Sequence, residues 1–125
     1  FDIKSPRVVM AGAHVDIEDY EMFITDFSSF VFDFAYLCRP VLYFVPDYGQ
    51  FKAGMNHYRE LDLPFEKAFG PLVLDPDGAV EEIKKAAENG FDPEPIYAER
   101  MRNFYYPLEN CAEALYNEVS SWDCL

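Results

Sequence analysis

The chain is poor in the residues that build metal and disulfide sites. Its 125 residues include two histidines and three cysteines (Cys38, Cys111 and Cys124), and the cysteines are far apart and form no CxxC pair. An odd number of widely spaced cysteines argues against a disulfide framework and against a zinc site. We therefore expect reduced cysteines in a cytoplasmic protein, and we predict neither a metal nor another cofactor.

Basic residues are also scarce. Lys and Arg number 10 against 23 Asp and Glu, which gives a formal net charge of -13. A nucleic-acid partner needs a basic surface that neutralises phosphates, so this charge argues against nucleic acid and against anionic lipid surfaces. A single phosphorylated small molecule is not excluded, because local N–H donors and a helix dipole can hold it.

Long apolar runs are missing as well. None approaches the roughly 20 residues that cross a bilayer. The start, Phe1-Asp2-Ile3-Lys4, has neither the basic nor the apolar region of a signal peptide. Because the first residue is not Met, we expect the chain to start inside a longer protein. With 50% apolar residues, residues 1–125 are predicted to form a single, partial globular domain with a real core.

Apolar segments of the chain alternate between strand and helix patterns. Strands are predicted at residues 22–25, 41–45 and 71–74, with a further candidate at 7–11. Helices are predicted over residues 28–37, ending before Arg39-Pro40, from the Asp75-Pro76 cap to Asn89-Gly90, around residues 97–105 and from Asn110 onward. The apolar faces of the last three are expected at Val80, Ile83 and Ala87, at Tyr97, Met101, Phe104 and Tyr105, and at Cys111, Leu115, Val119 and Trp122. Residues 41–45 are apolar at every position, which is typical of a strand covered on both faces of a parallel sheet. The order predicts an α/β fold, an open, mainly parallel Rossmann-like sheet with flanking helices.

Polar residues gather between the strand at 22–25 and the helix that follows it. Thr25, Asp26, Ser28 and Ser29 lie there, and Ser28 or Ser29 is expected to cap the helix. Parallel sheets bind ligands beyond the carboxyl ends of their strands, where the next helix offers unpaired N–H donors and the positive end of its dipole. We therefore predict a phosphate-bearing ligand here. The alternative is that these residues only cap the helix.

Asp33 follows Ser29 by one helical turn, so the two side chains are expected on one helix face. A carboxylate buried in such an apolar helix is costly unless it has a partner. The sequence therefore predicts a partner for Asp33: a ligand hydroxyl, backbone donors, or a basic side chain such as Arg59 or Arg100. A purely structural ion pair is the alternative.

Other polar motifs are interpreted more simply. His57 and Arg59 lie in an irregular stretch, residues 47–70, that we interpret as a long loop with a helical turn or two. Loops of this length are often functional, although a packing role for His57 is the alternative. His14 is interpreted as a surface-loop residue. The capping role of Asp75 explains the Asp-x-Asp pattern at 75–77 without a metal.

One spaced pattern extends beyond the polar cluster. It consists of Ile24-Thr25-Asp26-Phe27-Ser28-Ser29, Asp33-Phe34, Arg39-Pro40-Val41 and Pro46-Asp47, and later of His57-Tyr58-Arg59, Phe69-Gly70-Pro71-Leu72, Tyr97-Ala98-Glu99-Arg100 and Asn110-Cys111. This pattern resembles the CDP-glycerol glycerophosphotransferase family, the polymerases and primases of teichoic acid and related capsule synthesis. The similarity covers residues 23–119.

The resemblance implies a GT-B architecture of two Rossmann-like lobes, in which this chain is similar to the last part of the C-terminal, donor-binding lobe. It implies that Ser28, Ser29 and Asp33 contact the phosphates and glycerol of CDP-glycerol or a related CDP-alditol. The expected donor site also includes Thr25, Asp26 and Arg100, with His57, Arg59 and Asn110 as further candidates.

The resemblance further implies a reaction in which a hydroxyl of a polyol-phosphate acceptor attacks the glycerol-bearing phosphorus and expels CMP, assisted by a histidine base. The family's histidines lie upstream of this region, and His14 and His57 do not stand in their motifs. We therefore expect no catalytic residue in this chain, which would need the missing N-terminal lobe. The parent protein is expected at the inner face of the cell membrane.

Two alternatives remain open from sequence. One is a lobe that has lost its chemistry and serves as a nucleotide-binding or interaction module. The other is a different GT-B enzyme that acts on nucleotide sugars. The family's Asp-Gly before the last helix is replaced here by Pro107-Leu108-Glu109. At this part of the expected donor pocket the chain departs from the family's pattern.

Overall fold

The computed structural model describes residues 6–8, 15–53, 61, 63–105 and 110–122. Within these ranges the strands are β1 (Phe23–Thr25), β2 (Val41–Phe44) and β3 (Leu72–Val73). The helices are α1 (Val31–Tyr36), α2 (Tyr48–Lys52), α3 (Pro76–Glu88), α4 (Pro95–Phe104) and α5 (Cys111–Ser121). Short 3-10 helices occur at Ile17–Asp19 and Phe65–Lys67.

The three strands form one parallel sheet in the order β1-β2-β3. Phe23 is opposite Val41, and Tyr43 is opposite Leu72. The central strand β2 is buried at Val41, Leu42 and Tyr43, as the unbroken apolar run predicts for a strand covered on both faces. The predicted α/β class and the open parallel sheet with flanking helices are confirmed, and the sheet is consistent with part of a Rossmann-like lobe.

The core lies between this sheet and α1, α4 and the segment before β3. Phe34 of α1 stacks on Phe23 of β1 with ring centroids 4.6 Å apart, and Met101 of α4 is 1% exposed in the same cluster. Gly70 brings the start of β3 against β2: a Cβ built on Gly70 would lie 1.7 Å from the carbonyl oxygen of Val41. Only glycine permits this approach of the two backbones.

Helix α1 begins three residues later than the sequence predicts. Its N-cap is Phe30 in an α-helical conformation, with no capping hydrogen bond from a side chain. The carbonyl oxygens of Ser28 and Ser29 accept bonds from the amides of Val31 and Phe32, three residues further on. The chain therefore enters α1 through a tight turn, and the prediction that Ser28 or Ser29 caps the helix is wrong.

Helix α1 ends before Arg39-Pro40, as predicted. Cys38 follows it with a φ of 55°, and the amides of Cys38 and Arg39 donate to the carbonyls of Ala35 and Phe34. This is the Schellman pattern, in which the left-handed position is usually glycine. A cysteine holds it here, where a Cβ is strained.

Helix α3 is capped as predicted. The Asp75 carboxylate accepts the amide of Gly78 at 2.9 Å, Pro76 is the first helical residue, and the helix closes at Asn89 with Gly90 at a φ of 66°. The predicted apolar face is only partly correct. Ile83 is half-buried, but Val80 is 47% exposed and Ala87 is exposed as well, because Ala79, Ile83 and Ala86 form the half-buried side of the helix instead.

The last two helices also form. In α4 the predicted stripe is buried at Met101, whereas Phe104 is partly exposed and stacks on Phe32 at 5.4 Å. In α5 the predicted stripe of Cys111, Leu115, Val119 and Trp122 is exposed.

Two predicted segments are only partly described. The candidate strand at 7–11 and the irregular stretch at 47–70 both fall in part outside the described residues. Where it is described, the irregular stretch contains α2 and one 3-10 helix, which matches the expected turn or two of helix.

Candidate functional site

The polar cluster lies at the carboxyl ends of the strands and faces a pocket. Thr25 is the last residue of β1, and the loop after it forms one wall of a pocket of about 230 Å³. That wall contains Asp26, Phe27, Ser28 and Ser29, and the remaining described lining is Val31, Phe32, Tyr43, Leu61, Leu63 and Phe65. The structure therefore brings both serines to an open crevice at the edge where parallel sheets usually bind ligands.

The loop is held by its own side chains. The hydroxyl of Thr25, which is 8% exposed, accepts the amide of Ser28 at 3.4 Å. The carboxylate of Asp26 accepts the amide of Phe27 at 2.6 Å. The Oγ of Ser28 accepts the amide of Phe30 at 3.2 Å. Thr25, Asp26 and Ser28 therefore shape the turn.

These bonds change the expected chemistry of the site. Most backbone amides between residues 27 and 33 already donate within the turn, to side chains or to carbonyls three residues earlier. The expected row of unpaired N–H donors at a helix start is therefore wrong, and α1, with six residues, is too short for a substantial dipole. What remains for a ligand is the exposed Ser29 and the hydroxyl hydrogen of Ser28, since an accepting hydroxyl can still donate.

Asp33 does not need the partner that its sequence context suggests. Its side chain is exposed on α1, because Val31, Phe34 and Ala35 take the inner face. Among the described residues it forms no ion pair. The expectation that Asp33 is buried is wrong, so no desolvation cost arises. Of the basic partners that the sequence suggests, Arg100 does not pair with it, and Arg59 lies outside the described residues. An exposed carboxylate near the serines can still accept hydrogen bonds from ligand hydroxyls.

Asp33 acts electrostatically on a neighbouring phenol. Burial raises the pKa of Tyr105 above its usual value, and the negative charge of Asp33 raises it further. The hydroxyl of Tyr105 donates to the carbonyl oxygen of Phe32 in α1. The neutral phenol therefore ties the segment after α4 to α1 close to the candidate site.

Arg100 is placed away from the described lining of the pocket. Its Nη1 donates to the carbonyl oxygen of Ala68 at 2.9 Å, and its guanidinium lies 5.5 Å from the centroid of the Tyr97 ring. These contacts attach α4 to the segment before β3. The guanidinium thus has a structural role in addition to the donor role that the sequence suggests.

Of the three remaining candidates, Asn110 is described and does not line the pocket. Asn110 caps α5: its side-chain oxygen accepts the amide of Glu113 at 3.1 Å, and its side-chain nitrogen donates to the Glu113 carboxylate at 3.0 Å. The arrangement is similar to a capping box, but the Glu113 carboxylate accepts from the Asn110 side chain instead of from the Asn110 backbone amide. His57 and Arg59 lie outside the described residues, as does His14.

Sequence reasoning missed the aromatic part of the pocket. Phe27 stacks on Phe51 with centroids 4.6 Å apart, and Tyr43 packs edge-on against Phe65 at 5.1 Å. Burial raises the pKa of Tyr43 to about 12, although the nearby backbone of Phe69 opposes this. The Tyr43 hydroxyl has no well-formed hydrogen bond in the described part of the chain. Tyr43 is the one residue with a polar group in the apolar run 41–45, and that hydroxyl is the sequence feature that could have identified it.

The fold and this pocket define an α/β domain with a crevice at the carboxyl edge of its parallel sheet, where sheets of this kind usually bind ligands. Hydroxyl and carboxylate side chains line this crevice. The chain belongs to the CDP-glycerol:poly(glycerophosphate) glycerophosphotransferase family, whose family model matches residues 4–121. This confirms the family that the spaced motifs suggest. No solved structure gives a significant match.

Three curated proteins are similar to parts of this chain. The teichoic acid poly(glycerol phosphate) polymerase of Bacillus subtilis (strain 168) is 44% identical over 79 residues, which are 59% of this chain and 10% of the relative. The minor teichoic acid biosynthesis protein GgaB of the same strain is 30% identical over 102 residues, or 80% of this chain and 11% of the relative. The polymerase of Bacillus spizizenii is 39% identical over 77 residues, or 58% of this chain and 19% of the relative. The chain thus spans 10–19% of their lengths.

Over the described residues, no helix is both long and apolar enough to cross a membrane.

Proposed function

We propose that this chain is part of the donor-binding lobe of a glycerophosphotransferase and binds CDP-glycerol or a related CDP-alditol. The observation that carries the proposal is the position of Ser28 and Ser29 beside a pocket at the carboxyl edge of the sheet, in a chain that belongs to this family. The relatives' names specify a poly(glycerol phosphate) product. The acceptor in this proposal is a teichoic acid or capsule polymer.

The roles of the loop residues follow from their bonds. Thr25 and Asp26 hold the turn, and the hydroxyls of Ser28 and Ser29 donate to phosphate oxygens of the donor. The exposed carboxylate of Asp33 accepts hydrogen bonds from the hydroxyls of the glycerol or ribitol. Since phosphate is an anion, hydroxyl donors facing it form charge-assisted bonds that are stronger than neutral ones.

Arg100 has a conditional role in this proposal. Its guanidinium carries five N–H donors, and one of its nitrogens already donates to Ala68. The remaining donors can reach a phosphate only if the ligand extends toward α4. His57, Arg59 and Asn110 stay predictions as further contacts.

The chemistry proposed for the whole enzyme is a substitution at phosphorus. An acceptor oxygen forms a bond to the glycerol-bearing phosphorus, the bond from that phosphorus to the CMP oxygen breaks, and the acceptor proton passes to a base. In this proposal the base comes from a segment upstream of this chain, and the N-terminal lobe of the parent protein is a partner of this one. Residues 1–125 form one partial Rossmann-like domain of a cytoplasmic protein at the inner face of the membrane. The contribution of this chain is to position the donor and stabilise its charge.

Titration of the 15N-labelled chain with CDP-glycerol, followed by NMR, tests the proposal. We expect saturable shifts at Ser28, Ser29 and Asp33. The double substitution Ser28→Ala, Ser29→Ala is expected to weaken binding about tenfold or more, the effect of losing hydrogen bonds to a charged group. Ser120→Ala removes an exposed hydroxyl from α5 and should leave the affinity unchanged.

Contrary results are equally clear. If the amides of residues 25–33 do not shift at saturating CDP-glycerol, the donor site is elsewhere. If UDP-sugars bind there as tightly as CDP-glycerol, the site does not select a CDP-alditol and the proposed donor is wrong. CDP-ribitol in parallel identifies the preferred polyol.

A further inference from the structure

A second cavity lies at the opposite edge of the sheet from Ser28 and Ser29. It has a volume of about 280 Å³ and adjoins the amino ends of the strands, where Met22, Pro40 and Pro71 precede β1, β2 and β3. We call it the amino-edge cleft. Its described lining is completed by Val41, Phe69 and Tyr97 and by side chains between positions 82 and 95, from α3 to the start of α4.

The interior of the amino-edge cleft is apolar and its outer wall is fixed. Gly90 and Phe91 both have positive φ, 66° and 58°, and the Asn89 side chain donates to the carbonyl of Asp92 at 2.9 Å. Two prolines follow, Pro93 in the connecting segment and Pro95 at the start of α4. A wall fixed in this way loses little conformational entropy when a ligand enters, which favours binding.

The rim of the cleft is negative. Glu82, Asp92 and Glu94 contribute three carboxylates against the single ammonium of Lys85. Lys85 is already paired with Glu82 at 2.5 Å. Asp92 and Glu94 form no ion pair within the described ranges. The hydrogen bond that Lys85 donates to Glu82 raises the pKa of Lys85, and the negative charges of Glu82 and Glu94 add to this. Lys85 therefore stays cationic, and the carboxylates of Asp92 and Glu94 set the charge preference.

We propose that the amino-edge cleft binds a small organic ammonium ion. The alkyl or aryl body enters between the prolines and Tyr97, and the ammonium group pairs with Glu94 and Asp92 at the rim. The volume lies just below the roughly 300–1,000 Å³ of sites for drug-sized ligands, so the ligand is a compact amine rather than a nucleotide. This site is separate from the proposed donor site, and its occupancy does not depend on CDP-glycerol binding.

A matched pair of probes tests the proposal on the 15N-labelled chain. Benzylammonium carries the charge, and benzyl alcohol has nearly the same shape without it. We expect saturable shifts with benzylammonium at Ala86, Asn89 and Tyr97, and binding of the alcohol that is several-fold weaker. Equal binding of the two probes, or no saturable shift around the cleft, overturns the proposal.

Substitutions locate the charge. Glu94→Gln is expected to weaken benzylammonium binding about threefold, the size typical of an exposed ion pair, and 0.5 M salt should have a similar effect. Glu81→Gln is the control, because Glu81 pairs with Lys84 on α3 and does not line the cleft. An equal loss for both variants would assign the binding to the general negative charge of the chain and would overturn the site.

Discussion

The hydroxyl of Tyr105 donates a hydrogen bond to the backbone carbonyl oxygen of Phe32. This bond joins the end of α4 to the first turn of α1, 73 residues apart in sequence. The ring of Tyr105 also packs edge-on against Phe104 at 5.2 Å. The helix that follows the candidate phosphate-binding turn is therefore tied to the end of α4 by this hydrogen bond and by the stacking of Phe32 on Phe104.

Tyr105→Phe tests this connection. The ring contacts stay and only the donor is lost, so we expect a loss of about 1 kcal/mol in the free energy of unfolding, typical of one hydrogen bond. Urea denaturation measures it. Tyr20→Phe, at an exposed position, serves as the control and should change stability by less than about 0.5 kcal/mol. Equal effects in the two variants would show that the bond does not contribute.

Alkaline pH should destabilise the fold through Tyr43. The unfolded chain releases this proton near pH 10, whereas burial raises the pKa of Tyr43 in the folded chain to about 12. Below pH 10 the contribution is complete, and between pH 10 and 12 the unfolded state binds fewer protons, so stability falls as the pH rises.

Tyr43→Phe isolates this effect. In the variant, the free energy of unfolding is expected to fall less between pH 10 and 12, because the contribution of the Tyr43 proton is removed. Urea denaturation across that interval measures the difference. At pH 7 the variant should remain folded, because the ring still packs against Phe65. An unchanged alkaline slope would show that the phenol of Tyr43 does not carry the perturbed titration.

Gly70→Ala should be severely destabilising. A Cβ at position 70 would lie 1.7 Å from the Val41 carbonyl oxygen, so β3 must separate from β2, at a cost of more than about 3 kcal/mol by the scale of exceptional single mutations. The matched control is Gly49→Ala in α2, where a Cβ meets nothing within 4 Å. There we expect a gain of about 0.5–1 kcal/mol from helix propensity. Thermal unfolding of both variants decides between these outcomes.

Asp33→Asn separates ligand binding from stability. The exposed carboxylate has no described ion partner, so the substitution should change the free energy of unfolding by less than about 0.5 kcal/mol. Under the proposed function it should nevertheless weaken CDP-glycerol binding, because an amide replaces a charged acceptor for the polyol hydroxyls. Calorimetric titration measures this. A marked loss of stability with unchanged donor affinity would assign Asp33 a structural role instead.

The isolated chain should not transfer glycerol phosphate. Neither of its two histidines stands in the motifs that hold the family's histidines. A radiometric assay with CDP-glycerol and a polyol-phosphate primer is therefore expected to show no turnover. A longer polypeptide that includes the upstream segments and the N-terminal lobe of the proposed enzyme should restore activity, and Ser29→Ala in that polypeptide should lower it. Turnover by the chain alone would contradict the proposal that the catalytic base lies upstream of this chain.

Local signals in the sequence predicted most of the fold. Residues 41–45 could only be a strand covered on both faces, and Asp75-Pro76 and Asn89-Gly90 mark the two ends of α3 through ordinary capping chemistry. The face of α3 was harder to predict. Val80 and Ala86 both fit an apolar stripe, and the packing against the sheet, which selects Ala86, depends on residues far away in sequence.

The candidate site was predicted in position but less well in chemistry. Residue types placed Ser28 and Ser29 at the end of β1, because strand and helix periods meet there. They could not reveal that Thr25, Asp26 and Ser28 would satisfy the amides of the turn, since a hydroxyl can cap a helix, close a turn or face a ligand equally well. Nor could the sequence show whether Asp33 faces the core or solvent in a helix that is apolar on most sides.

The hydrogen bond from Arg100 to Ala68 couples ligand binding by Arg100 to the packing of α4 against the segment before β3. Ala68 is buried. A ligand phosphate that recruited the Nη1 donor of Arg100 would leave the Ala68 carbonyl oxygen without a donor, and buried acceptors without donors are unfavourable. Any affinity gained through Arg100 is then reduced by loosened docking of α4. Tight engagement of this guanidinium should therefore be accompanied by faster amide exchange in the helix that carries it.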